Sequence, residues 1–148
     1  MSGLPVMCHR SSIMVFVLMA LALGCEALQY DLTKATRPYP IDLRRAEAVD
    51  IQVFREGNSL EIINSTPHSY RDFDLWINQR YVRHVELMAA GELIRLSLEE
   101  FYDERGEVFN AGGLLRTQEP MPVRLIEMQL SEDRPLIGLI AIRAEPAE

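Results

Sequence analysis

The sequence predicts an all-β fold, a small two-layer antiparallel β-sandwich of immunoglobulin-like type behind a cleaved N-terminal leader. Three observations predict it. Short apolar runs with period-two alternation recur from residue 49 onward, turn residues separate them, and no stretch sustains a 3.6-residue apolar period. Seven such runs in about 100 residues suit the strand spacing of a sandwich, with an open barrel as the alternative.

The first run alternates Val49, Ile51 and Val53 with Asp50, Gln52 and Phe54. Glu56-Gly57-Asn58 then supplies turn chemistry, and Leu60-Glu61-Ile62-Ile63 completes a hairpin. Thr66-Pro67 breaks the strand. The third run, 70–78, places Phe73, Leu75 and Ile77 on one face and Asp72, Asp74 and Trp76 on the other. Further runs are expected at 81–87, 93–98, 123–130 and 136–142. Glu99-Glu100 interrupts the alternation, so 96–102 has room for a helical turn. The expected core comprises Val49, Ile51, Val53, Leu60, Ile62, Phe73, Leu75, Ile77, Ile94, Leu96, Leu98, Ile126, Met128, Ile140 and Ile142.

Before the alternation begins, the chain reads as a membrane-targeting segment. Residues 13–24 form an uncharged, largely apolar run that follows His9 and Arg10 and ends at Gly24-Cys25. A spanning helix needs about 20 apolar residues, and Glu26 interrupts this run well before that length, so export with cleavage is expected. Leu21-Ala22-Leu23-Gly24-Cys25 resembles the lipobox of bacterial lipoproteins, with Ala22 where Leu is commoner. That resemblance implies a diacylglyceryl thioether on Cys25, cleavage after Gly24 and an acylated new amino terminus, hence a membrane partner. Two or three acyl chains hold a protein on a bilayer where one binds only marginally. The domain plan is therefore signal peptide 1–24, lipidated cysteine and tether 25–48, β-sandwich 49–144 and disordered tail 145–148.

Composition narrows the function classes. The chain has 148 residues, 48% of them hydrophobic and 25% charged, which is ordinary for one globular domain. Setting Arg10 aside, the 15 basic residues become 14 against 22 acidic ones after the leader, so nucleic-acid binding is disfavoured. The other cysteine, Cys8, lies in the leader, so no disulfide is expected in the mature chain.

The residues offer little catalytic chemistry. The mature chain holds two histidines, His68 in a turn and His84 in a strand, and there is no Gly-x-Ser-x-Gly nucleophile elbow. No catalytic residue, metal ligand set or cofactor is expected. Asp103-Glu104-Arg105-Gly106-Glu107 offers three carboxylates around a glycine, but their spacing is not that of a calcium loop, and it reads as a solvated turn with Gly106 left-handed. The one candidate binding surface is Trp76 with Asp74 and Asn78 beside it and Tyr81 one turn away. A flat aromatic flanked by a carboxylate and an amide can stack a sugar ring and hydrogen-bond its hydroxyls. If Leu75 and Ile77 face the core, Trp76 is expected to be partly exposed.

The segments Leu75-Trp76-Ile77-Asn78 with Arg80-Tyr81, and Phe101-Tyr102-Asp103-Glu104-Arg105-Gly106-Glu107-Val108-Phe109, resemble those of small exported lipoproteins of planctomycete-type bacteria. This resemblance implies an envelope location facing the periplasm or the exterior and a β fold, and it implies no activity. The function expected is a non-catalytic cell-envelope module that binds or positions a protein or cell-wall polysaccharide. Two alternatives stand beside it: an envelope hydrolase using clustered acids and His84, and a chaperone-like protein that adds a strand to a partner. Replacing Cys25→Ser is expected to abolish incorporation of a fatty-acid analogue, and equal labelling of both forms would remove the anchor.

Overall fold

The structure is a computed structural model that describes residues 30–112 and 119–142. The leader, Cys25 and the tail at 145–148 lie outside the described residues. Nine strands are seen among them: β1 (Arg45–Ala46), β2 (Ile51–Glu56), β3 (Ser59–Asn64), β4 (Tyr70–Ile77), β5 (Tyr81–Met88), β6 (Leu93–Ser97), β7 (Ile126–Gln129), β8 (Leu136–Gly138) and β9 (Ile140–Ile142). They form a five-stranded sheet in the order β1-β8-β7-β4-β5 and a four-stranded sheet in the order β6-β3-β2-β9. The two sheets enclose one apolar core, so the fold is a two-layer β-sandwich. β2, β3, β6 and β9 stand on one side of that core and β1, β4, β5, β7 and β8 on the other.

Local chemistry explains the hairpins. Gly57 takes φ +60° at the β2–β3 turn, and Gly91 takes φ +72° between β5 and β6. Asn78 and Gln79 have φ of 51° and 59° in the β4–β5 turn, closed by the Arg80 N–H donating to the Ile77 carbonyl at 3.1 Å. The helical turn expected after β6 is a 3-10 turn at Leu98–Glu100, capped by the Ser97 hydroxyl.

The sheets are mixed, which departs from the antiparallel expectation. β1 runs parallel to β8, and β9 runs parallel to β2. The parallel β9–β2 pair arises at Leu139, where the expected run 136–142 breaks into two strands. β8 stays with β7 in one sheet, whereas β9 crosses to the edge of the other. The crossing resets the side-chain parity: Leu139 is buried and Ala141 packs on the core, while Ile140 and Ile142 are exposed. Those two isoleucines are therefore not core residues.

The other correction concerns 25–48. From Tyr30 on, this segment is part of the fold: β1 pairs with β8, and Tyr39 and Leu43 pack against Trp76, Val82 and Leu136. Residues 37–46 form a strap across the outer face of the five-stranded sheet.

Leu75 and Ile77 are fully buried in the main core beside Phe73, Ile126 and Met128. Truncating either to alanine removes apolar contacts and leaves a cavity, at a cost of about 2–5 kcal/mol. Urea unfolding of Leu75→Ala measures this, and a loss under about 1 kcal/mol would contradict the packing.

Candidate functional site

The four residues expected to share a surface are separated by the fold. Asp74 and Trp76 project from the outer face of β4, away from the main core. Asn78 stands in the β4–β5 turn, where its Oδ1 accepts N–H bonds from Arg124 and Leu125 and its Nδ2 donates to the Pro122 carbonyl at 2.7 Å. Tyr81 points the other way, into the core, with its ring edge-on to Phe109 at 5.2 Å. Burial pushes the Tyr81 hydroxyl up to about 12, and that oxygen has no hydrogen-bond partner among the described residues.

The parity assigned to β4 is correct, but Trp76 is 0% exposed. The strap covers it. Tyr39 meets the indole edge-on at 5.3 Å, and the Arg37 guanidinium lies 4.9 Å from the ring centre. The indole N–H donates to Gln129 Oε1 at 3.2 Å, and Arg37 donates to the same oxygen at 2.7 Å. Arg37 also pairs with Asp74 at 2.6 Å. A second anchor forms on buried Glu127, which accepts from the Tyr39 hydroxyl at 2.7 Å and pairs with Arg45 Nε at 2.9 Å.

These contacts remove the objection to burying the tryptophan. An unpaired carboxylate beside it would be strongly unfavourable. Here Asp74 is held by Arg37 and by His84 Nδ1 at 3.1 Å. Asp72 turns outward with φ 48° and remains 80% exposed. Trp76 is therefore not a free aromatic platform for a sugar. The sequence signal for the cover was Arg37-Pro38-Tyr39-Pro40-Ile41-Asp42-Leu43, in which an arginine, an aromatic and an aliphatic residue stand among prolines.

The acidic turn is less solvated than expected, because its first carboxylate is buried. Asp103 is 2% exposed, its Oδ1 accepts from the N–H groups of Arg105 and Glu107, and its Oδ2 accepts from Arg80 at 3.0 and 2.8 Å. Burial raises this carboxyl, but the hydrogen bonds from Arg80 and from the two N–H groups outweigh that and hold it below the ordinary value. Glu107 pairs with Arg80 as well, at 2.5 Å. Gly106 is left-handed at φ +76°, as expected, and a Cβ there would collide with the Asp31 carbonyl. Among the described residues no three His, Cys, Asp or Glu side chains gather as metal ligands would. His84 contacts Asp74 and Asp72, and no hydroxyl or thiol among the described residues hydrogen-bonds its ring.

A different surface remains uncovered, and the sequence reading passed over it. On the outer face of the four-stranded sheet, cross-strand register sets Ile140, Gln52, Ile63 and Leu93 in one row and Ile142, Phe54, Glu61 and Arg95 in the next. Leu93 is 53% exposed, Ile140 43% and Ile142 37%, with Phe54 and Ile63 half-buried between them. Glu61 and Arg95 form an ion pair at one corner. Alternation hid this face because Phe54, Ile63, Ile140 and Ile142 sit among residues that do enter the core.

Trp76 fluorescence is expected to be blue-shifted and resistant to iodide. Arg37→Ala, which removes the clasp on Asp74 and Gln129, should restore quenching at little cost to overall folding, and free quenching of the parent chain would contradict the strap. Comparison of the chain with protein-family models, with curated proteins and with solved structures finds no match, so its functional reading rests on the geometry above.

Proposed function

We propose that this chain is a non-catalytic module of the cell envelope, exported by its leader, held on a membrane by acyl chains on Cys25, and binding a protein partner on the outer face of β6-β3-β2-β9. The observation that carries the binding role is the stripe of Leu93, Ile63, Phe54, Ile140 and Ile142 on a sheet face that nothing in the chain covers among the described residues. Contiguous exposed apolar side chains rimmed by charge mark interaction surfaces, and each aliphatic side chain buried there contributes about 1.5–3 kcal/mol.

The chemistry of the face favours a protein over a polysaccharide. Its centre is aliphatic, its one aromatic ring is half-buried, and Gln52 is the sole amide in the two rows. A sugar polymer needs an open ring face and many hydrogen-bonding groups. A foreign protein is favoured over a second copy, because two chains each carrying 14 basic and 22 acidic residues after the leader repel one another.

Two alternatives have weaker support. A hydrolase would draw on the His84–Asp74 pair, yet the ring of that histidine hydrogen-bonds no nucleophile among the described residues. Strand addition would use the outer edge of β5, where Arg83, His84 and Glu86 are the charged devices that discourage pairing and Tyr102 already bridges Val82.

Photocrosslinking in intact cells tests the proposal. A crosslinker at Ile140 is expected to give a discrete adduct with another protein, and Leu93→Glu should reduce it at least tenfold. A crosslinker at Glu47 should give none. Equal adducts from both positions, an adduct of twice the chain's own mass, or no adduct at Ile140 would each overturn it.

A further inference from the structure

The fold leaves a second, separate group of apolar side chains exposed, and it lies where the chain leaves the proposed anchor. Leu32 is 78% exposed, Ile41 78% and Tyr30 49%. All three flank one feature, the 103–107 turn. Tyr30 bridges Glu107, and the Asp31 N–H donates to the Gly106 carbonyl at 3.2 Å, which sets Leu32 against the turn. The 3-10 turn at Leu32–Lys34 is capped by the Asp31 carboxylate and held by Lys34 donating to the Tyr102 hydroxyl at 2.8 Å. Ile41 lines a groove of about 450 Å³ whose opposite wall is Asp103, Glu104 and Arg105.

We propose that this end of the sandwich rests on the bilayer, with Leu32, Ile41 and Tyr30 entering the interface between headgroups and acyl chains. The inference rests on the lipid anchor at Cys25 and deepens it. Tyr30 lies five positions after Cys25, and five residues of extended chain span at most about 18 Å. An acylated Cys25 sits at the bilayer surface, so its position confines Tyr30, and with it the 103–107 end, to the first layers above the lipid. Exposed Leu and Ile side chains so placed lose water by entering the interface, and a tyrosine suits it because the ring is apolar and the hydroxyl polar.

The charges nearby decide the kind of lipid surface. Lys34, Arg80 and Arg105 are outnumbered by Asp31, Asp103, Glu104 and Glu107, and Arg80 is already paired with Asp103 and Glu107. The contact is therefore apolar, not an attraction to anionic headgroups. β5 runs from this end to the β5–β6 turn, beside which Leu93, Ile63, Gln52 and Ile140 form their row, so this seating directs the Leu93–Ile140 row away from the membrane.

The test uses the lipidated chain in phosphatidylethanolamine and phosphatidylcholine vesicles, with an environment-sensitive dye on a single introduced cysteine. Dyes at Leu32→Cys and Ile41→Cys are expected to shift to shorter emission wavelength and to be quenched by nitroxide-labelled lipid. Dyes at Leu93→Cys and Ile140→Cys should be quenched by aqueous iodide alone. Adding one third phosphatidylglycerol should leave the pattern unchanged. Flotation with the vesicles gives a separate reading of the anchor. A chain that floats but shows equal iodide quenching at all four positions would overturn the seating while leaving the anchor intact. A chain that fails to float would overturn both.

Discussion

Arg37 makes three contacts with one side chain: it stacks on Trp76, pairs with Asp74 and donates to Gln129. Without a cation at that point, β4 could not carry a buried indole and a carboxylate on the same face, because the carboxylate would lose its hydration with nothing in return. The guanidinium solves both problems, since its flat face is apolar enough to cover a ring and its edge is a fork of donors. Tyr39 and Arg45 extend the same arrangement to Glu127. The outer face of the five-stranded sheet thus becomes a second, smaller core.

The two outer faces therefore have different fates. One is filled by the chain's own N-terminal segment, and the other keeps its apolar rows in contact with water. At the 103–107 end, Arg80, Asp103 and Glu107 are committed to one another, while Leu32 and Ile41 stand exposed beside them. Arg37, Arg45 and Arg80 act as internal fasteners, each holding a carboxylate of a neighbouring segment.

Much of the sandwich was legible from alternation. Turn glycines at 57, 91 and 106 and the runs around Ile51, Leu60, Leu75 and Ile126 sufficed, because period two maps directly onto a strand with one buried face. The failures share a physical cause. Trp76 was read as exposed because parity reports which way a side chain points and says nothing about what lies over it. The cover comes from residues 37–46, whose prolines suppress periodicity, and its strand β1 exists only through its partner β8. Ile140 and Ile142 were misassigned because one unbroken apolar run conceals the change of sheet at Leu139. Tyr81 was placed beside Trp76 from closeness in sequence, although the three-residue turn between them sends its ring to the opposite face of the sheet.

Val53 hydrogen-bonds alongside both Ile62, a few residues on, and Ala141, at the far end of the domain. The β2–β9 pairing makes the first long strand wait for the last one. Contacts of such sequence separation form late and slowly, because the intervening chain must be ordered before they are rewarded. The sandwich cannot close its four-stranded sheet until residue 142 has been synthesised.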